Sequence, residues 1–154
     1  MKKINYIIIS VLFSLLFIVL YLSLGNEKIY NTQDLVGKKI SEVEINLFQS
    51  NETFNTKELT NNEFTILNFW ASWCAPCKIE HPILMKLSQK KNLMILGINF
   101  KDKEPQAKIF LSELGNPYGL LAKDKNGKHS VKFGIYGIPE SILINKELMI
   151  IQNL

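Results

Sequence analysis

The chain has 154 residues, of which 47% are hydrophobic and 21% are charged, so its size and composition correspond to one ordinary globular domain. Its 18 basic residues are all lysine, and they exceed the 14 acidic residues to give a formal net charge of +4. Because arginine is the side chain that binds phosphate and guanine bidentately, its absence argues against nucleic-acid binding. The composition also excludes collagen, coiled-coil, disordered and multi-cysteine scaffold proteins.

An apolar segment without charges follows Lys2 and Lys3 at the N-terminus. From Ile4 to Asn26 no residue is charged, and a helix of that length would span about 34 Å, against about 30 Å for the hydrocarbon core of a bilayer. This is longer than the apolar region of a secretory signal, and Ser23-Leu24-Gly25 is a weak cleavage site. Residues 1–26 are therefore predicted to form an uncleaved signal-anchor transmembrane helix, with a cleaved signal peptide as the alternative.

The lysines before this segment predict its orientation. Basic residues stay on the cytoplasmic side, so the N-terminus is expected in the cytoplasm and everything after about Glu27 outside it. Disulfides form and persist in that compartment. Residues 27–39 are polar and are predicted to be a tether, and residues 40–154 are predicted to be the globular domain.

The rest of the chain alternates between strand and helix patterns. Val43, Ile45 and Leu47 alternate with polar neighbours, which predicts a strand with one buried face. A polar stretch over 51–62 contains about one helical turn near 57–59. The sequence next predicts strands at 64–70 and 93–100, a helix at 75–90, and a second helix that begins at Glu104 and has its C-cap at Gly115. A short apolar piece at 119–122 and a hairpin of strands at 141–145 and 148–151 follow.

This order of elements predicts the class of fold. Strand–helix–strand units require a parallel pair of strands, and a hairpin adds antiparallel strands. The sequence therefore predicts a mixed α/β sheet flanked by helices.

The two cysteines of the chain, Cys74 and Cys77, follow a predicted strand and begin a predicted helix. A helix N-terminus offers unpaired N–H groups and the positive end of the helix dipole, both of which favour a thiolate. Cys74 lies at the open end and is predicted to be the nucleophile, whereas Cys77, about one turn inside, can resolve the mixed disulfide. Pro76 restricts the backbone between them.

Several other interpretations of the cysteine pair compete with a redox pair. A purely structural disulfide over so short a loop adds little stability. Zinc requires four ligands, and no second cysteine pair exists; a c-type haem site requires a histidine where the chain has Lys78. His81, four residues after Cys77, leaves a copper carrier with Cys74, Cys77 and His81 as an alternative from a different functional class.

Around the cysteines, the sequence resembles a known family. The segment 69–78, with Trp73 and Pro76 beside the cysteines and Pro82 five residues after Cys77, resembles the active-site strand, loop and helix of thioredoxins. Gly137-Ile138-Pro139 resembles their second hallmark, a cis-proline that faces the disulfide. More specifically, the segments 35–38, 99–102, 113–118 and 134–140 resemble membrane-anchored thiol:disulfide interchange proteins of the DsbE/CcmG type, which act in cytochrome c biogenesis.

This resemblance implies a thioredoxin-like fold and a protein-disulfide reductase. Such a protein reduces the cysteines of apocytochrome c, or their mixed disulfides, so that haem can be attached, and a thiol protein in the membrane supplies its electrons. The implied location is the bacterial inner membrane, as a single-pass protein with a periplasmic C-terminal domain. The resemblance implies no cofactor and no metal. A general periplasmic thiol reductase with other clients is the alternative within this class.

The resemblance also implies roles for a few side chains near the cysteines. Pro139 would present backbone groups to a substrate. Asn68 occupies the place of the buried aspartate of ordinary thioredoxins, and an amide cannot accept the proton of the second cysteine. Glu80, three residues after Cys77 on one helix face, and Glu140, directly after Pro139, are the candidate acids instead, with a solvated surface carboxylate as the alternative for each.

The end of the sequence leads to one further expectation. A thioredoxin fold normally continues with a helix after the last hairpin, whereas this sequence stops at Leu154. We therefore expect the C-terminal helix of the fold to be missing. Either part of one sheet face then lies bare, or the sequence is truncated.

Overall fold

The computed structural model describes residues 2–24, 35–50 and 52–154. Its contacts divide the chain into two compact units, residues 1–31 and 32–154. Most of the predicted tether, residues 27–34, lies outside the described residues, but Gly37 and Lys38 exchange backbone hydrogen bonds with Ile150. The boundaries at residues 26 and 39 stay a prediction.

The first unit contains one helix, α1, which spans Lys2–Leu24. Its segment Ile4–Ser23 has a mean hydropathy of 2.6 and buries none of its surface in the protein. The side chains are apolar on every face, as expected of a helix that is surrounded by lipid rather than packed on one side. The predicted N-terminal apolar helix is confirmed, and its length and composition suffice to cross a bilayer.

The second unit is an α/β domain whose elements follow in the order that the sequence predicts, with two additions, the strand β2 (Thr53–Asn55) and the short helix α4 (Lys128–Lys132). The helical turn predicted near 57–59 is a 3₁₀ helix in the structure. In chain order, the elements are β1 (Glu44–Leu47), β2 (Thr53–Asn55), the 3₁₀ helix (Thr56–Asn61), β3 (Phe64–Trp70), α2 (Ala75–Leu87), β4 (Leu93–Phe100), α3 (Glu104–Leu114), β5 (Leu120–Asp124), α4 (Lys128–Lys132), β6 (Glu140–Asn145) and β7 (Ile150–Asn153).

All seven strands form one mixed sheet in the order β2-β1-β5-β4-β3-β6-β7. The three inner strands β3, β4 and β5 are parallel, whereas β1, β6 and β7 pair antiparallel to their neighbours. The predicted thioredoxin-like mixed sheet is confirmed. Because the carboxyl ends of parallel strands meet at one edge of a sheet, the loops after Trp70 and after Phe100 lie at the same edge.

Alternate side chains of β3 point into two hydrophobic clusters, one on each face of the sheet. Leu67 and Phe69 belong to one cluster, and Ile66 and Trp70 belong to the other. The second cluster also contains Cys74, Cys77, Leu84, Phe110 and Tyr118. The cysteine pair therefore belongs to a buried cluster that also contains several aromatic side chains.

The elements that the sequence did not predict are short, polar or both. β2 is three polar-flanked residues that pair with β1 at the edge of the sheet, so no apolar pattern marks it. α4 is five residues long, less than two helical turns, and begins after Gly127 in the left-handed conformation (φ 72°). β7 starts at Ile150 rather than at Leu148 because Leu148 adopts a positive φ of 65° in the hairpin turn.

An open apolar groove with a volume of about 650 Å³ lies where β3, β6 and the end of α2 meet. Apolar residues dominate the lining of this groove: Phe64, Ile66, Leu87, Leu93, Leu143 and Leu154. No helix follows β7 within the residues that the structure describes.

Candidate active site

The two cysteines form a disulfide across the first turn of α2. Cys74 is the N-cap residue of this helix, and its Sγ accepts a hydrogen bond from the backbone N–H of Cys77 at 3.2 Å. A backbone N–H and the positive end of the helix dipole both stabilise negative charge on sulfur. Pro76 occupies the first turn, where a missing N–H costs nothing.

The two sulfurs differ in position more than in exposure. The exposed fraction is 4% for Cys74 and 2% for Cys77, so surrounding residues cover both. Cys74 is the N-cap residue and joins the helical hydrogen bonds through its carbonyl oxygen, which accepts the N–H of Lys78, whereas Cys77 lies within the first turn of the helix. The position at the helix end, rather than accessibility, distinguishes the residue predicted to be the nucleophile from the residue predicted to resolve.

Trp73 precedes Cys74 and is 59% exposed, although it is a large aromatic residue. Its indole Nε1–H donates a hydrogen bond to the carbonyl oxygen of Lys101 at 3.2 Å. A large exposed aromatic side chain is thus held beside the cysteine pair by the loop that follows β4.

Pro139 and Glu140 lie at the same edge of the sheet as the cysteine loop. The peptide bond between Ile138 and Pro139 is cis. In the antiparallel register of β3 and β6, Glu140 lies opposite Phe69, the residue before the last residue of β3. The structure therefore brings the predicted proline element to the strand end from which the cysteine loop departs.

A buried polar network that includes Glu80, one turn after Cys77, is centred on Asn68. The Nδ2 group of this fully buried side chain donates to Glu80 Oε1 and to Ser141 Oγ, each at 2.9 Å. Its Oδ1 accepts the hydroxyl of Tyr118, also at 2.9 Å. The amide uses both donors and its oxygen, and it links β3, α2, β6 and the segment before β5.

The environment of Glu80 raises the pKa of its carboxyl above the ordinary value of 4.5. Partial burial is the largest cause, and the charge of Glu140 adds to it, while the hydrogen bond from Asn68 acts in the opposite direction. Burial, followed by the charge of Glu80, also raises the pKa of Tyr118 far above its ordinary value. The phenol therefore stays protonated and donates to Asn68. The structure brings Asn68 into contact with Glu80, and Glu140 lies close enough to act on Glu80 through its charge.

His81 does not join the cysteines in a metal site. The imidazole is buried, its Nε2 lies 3.0 Å from the carbonyl oxygen of Gly115, and its ring meets Phe110 edge-on. Within the described ranges, no group of three or more His, Cys, Asp or Glu side chains is arranged to hold a metal ion. No observation favours the copper-carrier alternative.

Tyr118, Ser141 and Asp102 also belong to the site, although they were not predicted from the sequence. A signal for Tyr118 exists in Gly97, a glycine inside a buried strand that pairs with Asn68. A Cβ atom at Gly97 would lie 2.6 Å from the Tyr118 ring, so this glycine makes room for the phenol. Asp102 receives both hydrogen-bond donors of Ser72, which only the folded contacts reveal.

Comparison with known proteins identifies a matching family model and several similar sequences. Residues 35–153 match the Redoxin family model. The thiol:disulfide interchange protein CycY of Rhizobium leguminosarum bv. viciae is 37% identical over 135 residues, which cover 80% of this chain and 72% of CycY. The thiol:disulfide interchange protein DsbE of Pseudomonas fluorescens biotype C is 32% identical over 145 residues, 94% of this chain and 80% of that protein.

The chain belongs to the redoxin family, among the thiol:disulfide interchange proteins of the DsbE type. It spans less than two thirds of the length of several other curated relatives. The crystal structure of a putative DsbE from Chlorobium tepidum superposes with a TM-score of 0.65 over 77% of this chain and 83% of that one, at 24% identity, which shows the shared fold.

Membership in this family assigns the class of chemistry, which is thiol:disulfide oxidoreduction. Two cysteines at the CxxC spacing, joined in a disulfide at a helix N-terminus, are the groups that such a reaction requires. As a DsbE-type redoxin, the chain also carries a single described apolar helix at its N-terminus, which is consistent with a membrane anchor.

Proposed function

We propose that the chain is a membrane-anchored reductase that keeps the cysteines of apocytochrome c reduced, or resolves their mixed disulfides, for haem attachment. The observation that carries this proposal is the position of Cys74, whose Sγ receives the N–H of Cys77 at the N-cap of α2. This geometry stabilises a thiolate, the form that attacks a disulfide. The client class rests on the resemblance of the segments 99–102 and 134–140 to the DsbE/CcmG type.

The exchange has two steps and moves two electrons from the chain to the client. The Cys74 thiolate attacks one sulfur of the client disulfide, which forms a mixed disulfide and releases the other client sulfur as a thiolate. The Cys77 thiolate then attacks Cys74 Sγ, which releases the second client thiol and leaves the Cys74–Cys77 disulfide. A dithiol of a membrane electron-donor protein reduces this disulfide again.

The remaining site residues have supporting roles in the proposal. Pro139, at the adjacent strand end, offers backbone groups to the client chain beside the cysteines. Glu80 has a raised pKa and lies one turn after Cys77, and it exchanges a proton with the Cys77 thiol as the second step proceeds. Glu140 raises the pKa of Glu80 through its charge and thereby tunes that exchange.

For location, we propose that α1 crosses the bacterial inner membrane once, with Lys2 and Lys3 in the cytoplasm. Residues 27–39 then form the tether and residues 40–154 the periplasmic domain. Tethering raises the local concentration of the domain at the membrane surface, where its electron donor resides. Alkaline phosphatase fused after Leu154 should be active, since that enzyme requires the periplasm; an inactive fusion that is expressed would contradict the orientation.

The decisive experiment replaces the resolving residue. Cys77→Ser in the full chain should accumulate a mixed disulfide between Cys74 and a cysteine of apocytochrome c, identified by mass spectrometry after non-reducing electrophoresis. Cys74→Ser is the matched control and should trap nothing. Adducts with other periplasmic proteins but not with apocytochrome c would contradict the client and favour the general reductase. No adduct with any protein would contradict the proposed function.

A further inference from the structure

Ser72, two residues before Cys74, is bound at both of its donors by a single carboxylate. Its backbone N–H donates to Asp102 Oδ2 at 2.6 Å, and its hydroxyl donates to Asp102 Oδ1 at 2.8 Å. Hydrogen bonds to an ionised acceptor are shorter and about twice as strong as neutral ones. The cysteine loop is thus fixed to the loop after β4 immediately before the site.

Asp102 is itself held in place. Its Oδ2 also accepts the side-chain amide of Asn99 at 3.0 Å, and its Oδ1 also accepts the backbone N–H of Lys103 at 2.7 Å. Each oxygen therefore receives two donors. The preceding Lys101 adopts a left-handed conformation with φ 46°, and its N–H donates to the carbonyl of Asp124. A residue other than glycine keeps a left-handed backbone conformation only where the surrounding structure holds it there.

The contact with Trp73 continues this attachment by one residue. The carbonyl oxygen of Lys101 accepts the indole N–H of Trp73, so Ser72 and Trp73 bind consecutive residues of one loop. Trp73 nevertheless remains 59% exposed. Binding is stronger when the contacting side chain is ordered beforehand, because no side-chain entropy is lost on association.

We propose that Asp102 is a positioning residue for disulfide exchange: through Ser72 it holds Trp73 as a preformed contact for the polypeptide of a client beside Cys74. The inference rests on the proposed function, in which Cys74 attacks a protein disulfide. It separates two kinds of substrate. A polypeptide client that packs against Trp73 depends on Asp102, whereas a small disulfide that reaches only the sulfur does not.

The chain contains a matched control for this arrangement. Asp124, at the end of the neighbouring strand β5, accepts the backbone N–H of Ser130 at 2.7 Å and its hydroxyl at 2.8 Å. Ser72→Ala and Ser130→Ala therefore delete the same hydroxyl from the same kind of aspartate–serine pair. The first pair holds the cysteine loop, and the second holds α4.

The test compares the turnover of two substrates by the full chain in detergent micelles, with excess dithiothreitol as the dithiol that reduces the Cys74–Cys77 disulfide after each cycle and with the rate measured without the protein subtracted. The polypeptide probe is a peptide with an oxidised Cys-x-x-Cys-His motif, and the small probe is hydroxyethyl disulfide. Ser72→Ala and Asp102→Asn should raise the KM for the peptide about tenfold, with kcat and the rate with the small disulfide changed less than about twofold. Ser130→Ala should change none of these values.

Two further measurements separate positioning from a general loss of stability. Acrylamide quenching of Trp73 fluorescence, obtained by subtracting the spectrum of Trp73→Phe, should increase in Ser72→Ala. Trp73→Ala should raise the peptide KM to a similar extent, and adding Ser72→Ala to it should have little further effect. Ser72→Ala retains the backbone hydrogen bond to Asp102 and provides the test if Asp102→Asn does not fold.

Three results would overturn the inference. An unchanged peptide KM in Ser72→Ala and Asp102→Asn would show that Asp102 does not act on docking. Equal losses with the peptide and the small disulfide would assign Asp102 to the sulfur chemistry or to the fold. If the unsubstituted chain exchanges with neither probe, the proposed function itself fails, and that result differs from the first two.

Discussion

The side-chain amide of Asn68 donates a hydrogen bond to the carboxylate of Glu80 at 2.9 Å. Asn68 belongs to the central strand β3, and Glu80 belongs to the helix that begins at the cysteines. The amide on the strand therefore donates to a carboxyl group on the neighbouring helix. In ordinary thioredoxins, the strand position of this amide carries an acid instead. The carboxyl group that contacts Asn68 therefore lies on α2, one turn after Cys77.

The first prediction concerns the pH dependence of stability. The pKa of Glu80 is raised in the folded chain, so the unfolded chain releases this proton at a lower pH. The stability that the protonated carboxyl contributes is fully present below about pH 4.5 and is lost as the pH rises through the raised pKa. Glu80→Gln should therefore become more stable relative to the unsubstituted chain as the pH increases, by urea denaturation of the full chain in micelles.

The size of this effect is limited to the titration of one proton. Glu113→Gln, at an exposed position of α3, is the control and should preserve the pH dependence of the unsubstituted chain. If the unsubstituted chain and Glu80→Gln have parallel stability curves between pH 4 and 8, Glu80 does not carry this dependence.

Asn68→Asp should create a pair of carboxyl groups that share one proton. The oxygen of Glu80 and the atom that replaces Asn68 Nδ2 would lie about as close as the present donor and acceptor. A fully buried carboxylate at position 68 and the partly buried Glu80 carboxylate in such contact cannot both ionise. We expect a loss of about 2 kcal/mol or more in the free energy of unfolding at pH 8. At pH 4 the cost should be much smaller, because a retained proton can bridge the pair; equal costs at both pH values would refute this account.

Tyr118→Phe should destabilise the domain through one lost hydrogen bond. The hydroxyl of Tyr118 is the donor to Asn68 Oδ1, and without it a buried carbonyl oxygen loses this partner. The expected cost is about 1–3 kcal/mol by denaturant unfolding. In an Asn68→Leu background the same change should cost little, because the acceptor is already gone. A cost that is the same in both backgrounds would mean that the effect arises elsewhere.

Gly97→Ala should cost about 1–3 kcal/mol of stability because the added methyl group overlaps the Tyr118 ring. The Cβ would lie 2.6 Å from ring carbons, and this ring is stacked on Trp70 at a centroid distance of 5.4 Å, so it has little room to move. Gly137→Ala is the matched control, since no atom lies within 4 Å of its added Cβ. It should change stability by less than about 0.5 kcal/mol. Equal effects of the two substitutions would contradict the close approach.

Apolar pattern predicted the central strands well and the edges of the sheet less well. The predicted limits of β3 and β4 coincide with the observed ones, because both strands are buried on two faces and read as continuous apolar runs. β2 is held by backbone pairing with β1, which leaves no mark in side-chain polarity. The start of β7 shifts because Leu148 takes a left-handed turn conformation that its residue type does not indicate.

Within the site, the spacing of residues along one segment predicted which of them lie close together. Contacts between segments that are distant in the sequence could not be predicted. Cys74, Cys77 and Glu80 lie within one short segment, so their proximity follows from helix geometry. Tyr118 lies 50 residues from Asn68, and Asp102 lies 30 residues from Ser72. Those contacts depend on which strands become neighbours, and the placement of β5 beside β4 emerges only from the assembled sheet.

Both cysteine sulfurs of this protein are in the one disulfide. The chain therefore has no third thiol onto which a captured client could be passed. When Cys77 is absent, an adduct on Cys74 can be released only by a thiol from outside, either the second cysteine of the client or a separate reductant. The lifetime of such an adduct would thus measure how readily the client re-forms its own disulfide, unless a separate reductant cleaves the adduct first.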